Sequence, residues 1–503
     1  MTLSVVYSRA LFGMEAPAVR VETHMAGGLP AFNIVGLADT EVRESRERVR
    51  AAIQCIGMSF PAGRITVNLS PADLPKESGR FDLPIAIGVL LSSGQIPIPD
   101  AGGGHLALAN MVFAGELSLS GALVDVAAPM TIALGVLRDL PDATLVLPPG
   151  NARRAAHVPG LTVLAAPTLD AVVRHLCGAQ ALSAPGVPAS RQVSHAPCLS
   201  DVKGQPQARH ALEVAASGGH SVLFCGWPGV GKSMLAQRLP GLLAPLPLLD
   251  WLDVAARFER AGVTPPAEGT RPFRAPHHSA TLAALVGGGA RPLPGEITLA
   301  HHGVLFLDEL PEFRRSALEA LREPLETGWV ALSRASSRVR YPARCQLVAA
   351  MNPCPCGWFG HPRRPCVCSS QQVARYRARI SGPLLDRVDM QVTVSQVDTD
   401  LIDAPGESSV TVGVRVAACQ SRQRARQGRL NAEIEPTGFA RDAPLSDEAG
   451  GLLRQAARQW DWSMRSSHRV LRLSRTLADM AGRDIIDAAD VAQAIQYRRP
   501  EGD

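Results

Sequence analysis

The spacing of hydrophobic positions changes several times along the chain, and the changes divide it. In AVRVETHMAGG, from Ala18, and GRITVNLSPADLP, from Gly63, β-branched residues alternate with polar ones. That period of two marks strands with one buried face. Between them, TEVRESRERVRAAIQCIG, from Thr40, carries apolar residues at helical spacing and reads as a helix. Residues 178–200 are rich in Ala, Ser, Pro and Gly without any period, as in a linker. A second region of alternating strands and helices follows from Asp201, and the tail is helical, with start signals at Ser446 and at Asp487, the latter with Asp490 three residues on. The expected organisation is an α/β domain over 1–177, a linker over 178–200, an α/β core over 201–400 and a helical domain over 401–503.

Length agrees with that division, because 503 residues exceed what one hydrophobic core supports. At 46% hydrophobic and 19% charged residues the chain forms cores. The longest apolar run, LPIAIGVLLSSGQIPIP from Leu83, is interrupted by Pro, Ser and Gly and falls short of a membrane span. The first residues, MTLSVVYSRALFGMEAP, lack the basic and apolar regions of a signal peptide. The expectation is a cytoplasmic, non-membrane protein whose ten cysteines stay reduced. The net charge of +5 decides little, but only three of the 51 basic residues are lysines: Lys76, Lys203 and Lys232.

One of these lies in VLFCGWPGVGKS, an apolar strand followed by a glycine-rich turn and the helical stretch MLAQRL. This is a P-loop in the context it requires. Gly226, Gly229 and Gly231 let backbone N–H groups curl around phosphates, Lys232 reaches the β and γ phosphates, and the Ser233 hydroxyl is a ligand for Mg²⁺. ATP and Mg²⁺ are therefore the expected cofactors. Downstream, HHGVLFLDEL is an apolar strand ending in Asp308, to hold the hydrated Mg²⁺, and Glu309, to polarise an attacking water. A third strand, CQLVAAMNP, ends in Asn352, placed to orient water against the γ phosphate. In RISGPLLDRVDM, Arg387 suits an arginine finger reaching a neighbouring subunit's nucleotide, or an ordinary pair with Asp386 or Asp389. Arg465 or Arg469, in the helical tail, is the candidate for a second γ-phosphate sensor.

These motifs, in this order, resemble those of an AAA+ ATPase. The stretch FRAPHHSATLAALVGGGARPLPGEITLAHHGVLFLDE is similar to the magnesium-chelatase and MCM branch, in which a β-hairpin interrupts helix 2. GLPAFNIVGLADTEVRESRERVRAAI and NLSPADLPKESGRFDLPIAIGVLL resemble the YifB/ComM family of magnesium-chelatase-like proteins. The resemblance covers essentially the whole chain. It implies a Lon-protease-like N-terminal domain, an AAA+ core with the helix-2 insert and a C-terminal helical lid. It also implies a hexameric DNA helicase that supports branch migration during competence. Lon-type peptidases need a serine where PKESGRFD has Arg80, Phe81 and Asp82, with Ser78 out of register, so the domain reads as proteolytically inactive.

A DNA motor needs basic residues that follow a phosphate backbone. ALSRASSRVRYPARCQ carries Arg334, Arg338, Arg340 and Arg344 without an acid, in a place where relatives have a pore hairpin; a solvated hairpin is the alternative. Arg291, in the helix-2 insert, is a further candidate, whereas SRQRARQGRL in the tail reads as a solvated helix face. His277 and His278 are assigned no chemistry. Cys354, Cys356, Cys366 and Cys368 form two Cys-x-Cys pairs nine residues apart, across a loop containing Gly357, Gly360, Pro362 and Pro365. Such a loop folds back to place four thiolates around one Zn²⁺, with His361 as a substitute ligand. Free thiols and a redox switch are the alternatives. The whole reads as an ATP-driven ring motor on single-stranded or branched DNA, and its rival is a chelatase-type ATPase remodelling a protein partner.

Overall fold

The computed structural model describes residues 2–36, 39–96, 108–186, 197–289, 292–333, 338–395 and 406–498. The chain divides into two compact units, Met1–Arg191 with Leu252–Pro265, and Gln192–Trp251 with Pro266–Asp503.

Nine strands belong to the first unit: β1 (Thr2–Arg9), β2 (Ala18–Ala26), β3 (Ala31–Val35), β4 (Arg64–Ser70), β5 (Met111–Phe113), β6 (Glu116–Leu117), β7 (Leu123–Val124), β8 (Thr144–Leu147) and β9 (Thr162–Ala165). Seven of them form one sheet in the order β3-β4-β2-β1-β5-β8-β9, and β6 and β7 pair separately. The alternation in β2 and β4 is explained by burial of one face: Val21 lies opposite Leu69 and Thr23 opposite Val67, all shielded from solvent. The helix Thr40–Cys55 starts at Asp39, whose carboxylate accepts from the Val42 N–H at 2.9 Å. The apolar run after Leu83 becomes the helix Asp82–Ser92, every residue of which is buried in this unit's core. Among the described residues no helix is long and apolar enough to cross a membrane.

Arg80, Phe81 and Asp82, which stand where a Lon-type serine is expected, are all buried. Asp82 is held by Arg48 at 2.6 Å and by the Leu117 N–H at 3.1 Å. Lys76 is fully buried, its ammonium donating to the Pro71 carbonyl, and the Ser78 hydroxyl accepts from Arg80 at 2.9 Å. The segment Leu252–Pro265 clusters with this unit rather than with the core to which its sequence position assigns it. The reason is local: Glu259 accepts from the Met130 N–H at 2.9 Å, and Arg260 donates to the Gly13 carbonyl at 3.1 Å.

In the second unit the strands are β10 (Val222–Gly226), β11 (Phe273–Arg274), β12 (Gly287–Gly288), β13 (Leu293–Pro294), β14 (Val304–Leu307), β15 (Trp329–Ser333), β16 (Arg338–Pro342), β17 (Gln346–Met351) and β18 (Met390–Val394). Five form a parallel sheet in the order β11-β14-β17-β10-β18. Its strands are near-continuous apolar runs because helices cover a parallel sheet on both faces. Two antiparallel pairs, β12 with β13 and β15 with β16, stand apart from it. Helices from Ser409 onward pack into the same core through Val412, Val416, Val470 and Leu473. Both start signals read in the tail are used: the Ser446 hydroxyl accepts from the Ala449 N–H at 3.2 Å, and Asp487 and Asp490 cap one another's backbone.

Candidate active site

Strand order assembles the site. β17 lies between β10 and β14, so the ends of three adjacent parallel strands present the P-loop, Asn352 and the Asp308–Glu309 pair along one edge. Ligand sites lie at this carboxyl edge in open α/β sheets. Gly229 and Gly231 have φ of 80° and 92°, in the left-handed region that a side chain would strain. Gly226 packs against β18 so tightly that a Cβ would fall 2.4 Å from the Val394 carbonyl oxygen.

The Lys232 ammonium donates to the carbonyls of Gly226 at 2.7 Å and Trp227 at 2.9 Å, and to Asn352 Oδ1 at 3.0 Å. Burial, the largest influence on Lys232, lowers its pKa, while Cys225, Asp308 and Glu309 act in the opposite direction. Ser233 Oγ donates to Asp308 Oδ2 at 2.6 Å. A hydroxyl and a carboxylate brought together in this way are hard oxygen ligands that fit Mg²⁺. Glu309 itself sits in the left-handed region, at φ 53°, and its N–H donates to Asp308 Oδ1 at 2.9 Å.

The structure adds a residue that the sequence reading set aside. His278 Nδ1 lies 3.2 Å from Glu309 Oε2, with the His277 ring 4.0 Å from that of His278. The signal was the sheet register. Arg274 pairs with Leu305, and His278 and Glu309 each lie four residues beyond those partners. Without the adjacency of β11 and β14, His278 is one histidine on a loop.

The arginines separate. Arg387 donates to the Arg322 carbonyl at 3.0 Å, to the Pro383 carbonyl at 2.7 Å and to Glu326. It pairs with neither Asp386, which holds Arg498, nor Asp389, which holds Arg469 at 2.6 Å. Arg465 is largely exposed and lies 3.7 Å from the same Glu326. Within one chain, then, neither Arg387 nor Arg465 is shown contacting the P-loop, and Arg469 is held by a buried acid.

Of the residues expected to meet DNA, Arg291 and Arg334 lie outside the described residues, as does the side chain of Arg338. Arg340, on β16, stacks its guanidinium 4.9 Å from the Trp329 ring on β15. Arg344 lies 3.9 Å from Glu433. Tyr341, fully buried, donates to the Pro292 carbonyl at 2.6 Å and so ties the β15–β16 hairpin to the segment leading into β13.

The four cysteines converge. Cys354 Sγ lies 3.4 Å from Cys356 Sγ and 3.6 Å from Cys366 Sγ, and all four sulfurs lie within 4.8 Å of one another. These separations are too long for disulfides. A tetrahedral zinc with Zn–S bonds of about 2.3 Å has S···S edges of about 3.8 Å, close to what is seen. Backbone N–H groups of Cys356 and Phe359 donate to Cys368 and Cys354 sulfurs at 3.4 and 3.3 Å, as they do to thiolates. His361 is not part of the cluster: its Nδ1 accepts from the Arg363 and Arg364 N–H groups, and its ring packs 4.5 Å from Trp227.

Comparison with known proteins places this geometry. Residues 198–402 match the family described as magnesium chelatase, subunit ChlI. Residues 21–151 match subunit ChlI of Mg-chelatase, and 406–498 match its C-terminal region. YifB of Escherichia coli, described as uncharacterized, is 43% identical over 506 residues, covering 99% of this chain and 97% of that protein. The competence protein ComM of Haemophilus influenzae is 42% identical over 519 residues, covering 99% and 98%. The chain belongs to the YifB/ComM family of magnesium-chelatase-like proteins. This AAA+ family implies ATPase activity, and the P-loop and Asp308–Glu309 pair of the YifB/ComM chain described here supply residues suited to it.

Proposed function

We propose that the protein is an ATP-driven ring motor, a cytoplasmic hexamer that moves single-stranded or branched DNA and promotes branch migration during DNA integration. The observation that carries this reading is the connection between β14 and β17. These strands end in the residues assigned to the nucleotide, Asp308–Glu309 and Asn352, and the chain joining them runs through the short helices Arg315–Ala320 and Arg322–Thr327 into the arginine-bearing β15–β16 hairpin, which leads directly into β17. A shift at either strand end is thereby passed to Arg338 and Arg340. The competence protein among the relatives supports DNA as the substrate.

In this reading the P-loop amides and Lys232 bind the β and γ phosphates. Ser233 and Asp308 would hold Mg²⁺, which when bound would neutralise charge on the phosphate oxygens. Glu309 accepts a proton from the attacking water, Asn352 orients it, and Arg387 from a neighbouring subunit stabilises charge on the transferred phosphoryl group. Arg465 acts as the lid's sensor, and Arg291 and Arg334 join the DNA path. The four cysteines hold a structural Zn²⁺. The first unit, with Arg80, Phe81 and Asp82 buried where a Lon-type serine would stand, is a non-proteolytic assembly domain.

The test is ATP hydrolysis with and without single-stranded or branched DNA, with Glu309→Gln as the inactive control. The DNA-motor reading expects DNA to stimulate turnover and the triple replacement of Arg334, Arg338 and Arg340 by alanine to remove the stimulation. Hydrolysis indifferent to every DNA tested refutes it and favours a protein substrate.

A further inference from the structure

The side chain of the P-loop residue Trp227 makes its contact outside the nucleotide site. Its Nε1 donates to the Phe359 carbonyl at 3.0 Å, and its ring packs against His361, which also meets Trp358 at 5.1 Å. The next P-loop residue, Pro228, is pressed by Gly357: a Cβ there would lie 2.6 Å from Pro228 Cγ, and φ of 85° already disfavours a side chain. Both contacting residues belong to the cysteine loop. Gly357 follows Cys356 and donates to the Cys354 carbonyl at 3.0 Å. Phe359 offers its N–H to Cys354 Sγ at 3.3 Å and its carbonyl to Trp227, so one residue spans the distance from cluster to P-loop.

The two ends of the loop also lead into the site. Two residues before Cys354 stands Asn352, bonded to Lys232. After Cys368, Ser369 caps the helix Ser370–Arg377 through reciprocal bonds with Gln372, a device worth about 1 kcal/mol. That helix carries the buried Tyr376. The loop between the cysteine pairs has three glycine and proline residues beyond Gly357 and belongs to no helix or strand; His361 ties its middle together, and the cluster closes its two ends.

We propose that the four-cysteine cluster, with Zn²⁺ bound, is a control element of the nucleotide site: it fixes the P-loop through Phe359–Trp227 and Gly357–Pro228, so loss of the metal weakens ATP binding. This rests on the zinc and ATP sites proposed above. The metal does no chemistry on the nucleotide. It holds a carbonyl and a glycine backbone where the P-loop needs them, and second-layer supports of this kind govern how well a first layer is positioned.

The experiment uses the full chain purified without chelators. Zinc is measured by elemental analysis. ATP affinity is then measured at constant Mg²⁺ before and after stripping with a thiol-directed mercurial and a zinc-selective chelator, and again after reduction and return of Zn²⁺; circular dichroism follows the fold. The expected result is one zinc per chain and an ATP Kd that rises about ten-fold on stripping and recovers on reloading. Trp227→Phe keeps the ring but loses the bond to Phe359. It should retain its zinc, bind ATP more weakly, and lose clearly less on stripping than the parent protein, as coupled residues do. Protein that holds no zinc, a Kd that stays within about two-fold after stripping, or a Trp227→Phe variant as sensitive to stripping as the parent overturns the proposal. Unchanged ATP affinity refutes the coupling alone, whereas loaded protein that binds no ATP refutes the ATP site with it.

Discussion

Lys232 Nζ donates to Asn352 Oδ1 at 3.0 Å, a bond that joins the P-loop to the end of the strand lying between it and Asp308. In the ATP site proposed above, a γ phosphate entering the P-loop would compete for the same ammonium and release the amide. Asn352→Ala should therefore lower kcat about 100-fold while changing ATP affinity only a few-fold, since the amide works on the reacting geometry. Lys232→Ala should remove binding and turnover together. Steady-state kinetics with a fluorescent-nucleotide titration separate the two.

Glu309 is positioned from outside its own strand. With His278 Nδ1 at 3.2 Å from its carboxylate, His278→Ala should leave ATP affinity unchanged and lower kcat about three- to ten-fold. Glu309→Gln should cost about 100-fold or more. Because the imidazole acts only through Glu309, the double variant should be no slower than Glu309→Gln alone. An additive loss would refute the positioning role.

Arg387 reads as a group acting in trans, yet in one chain it is clasped by Glu326 and two backbone carbonyls. Arg387→Ala should keep ATP affinity and lose turnover about 1000-fold. Mixing it with Lys232→Ala subunits should restore measurable hydrolysis at interfaces where an intact P-loop meets an intact Arg387. Mixtures without any recovery would place the arginine's action within its own subunit.

Asp389 should contribute to the protein's acid sensitivity. Burial opposes its ionisation, but the nearby His220 ring, the Arg469 guanidinium at 2.6 Å and the Ser221 N–H and hydroxyl, each at 3.0 Å, outweigh this and hold its carboxyl well below the usual carboxylate range. The stabilisation is thus fully present above the unfolded value of about 3.9 and is lost as pH falls from there towards the folded value. Asp389→Asn should lower stability at pH 7 by about 3 kcal/mol, because it removes the buried carboxylate that the half-buried Arg469 and the Ser221 donors face. Urea midpoints should differ by a constant amount from pH 7 down to about pH 4, and the gap should narrow steadily only below that.

Local chemistry was the legible part of the sequence. The P-loop, Asp308–Glu309 and Asn352 each sit at the end of an apolar strand, so pattern and function coincide in a few residues. The helix from Thr40 and the caps at Ser446 and Asp487 are likewise local. What escaped was long-range. His278 meets Glu309 only because β11 lies beside β14, Arg387 meets Glu326 across 61 residues, and Leu252–Pro265 joins the first unit through the buried Glu259. No period or motif encodes such pairings, since they follow from sheet order and from which backbone groups burial leaves in need of a partner.

The burial of Lys76 and Lys232 leaves Lys203 as the one exposed lysine side chain. Nearly all surface cations are guanidinium groups, which reagents aimed at primary amines do not modify. A fluorophore or cross-linker of that class therefore has a single side-chain address on each subunit, at the start of the second unit. In the ring proposed above, distances measured from that address would report its geometry without the averaging that many labelled lysines would impose.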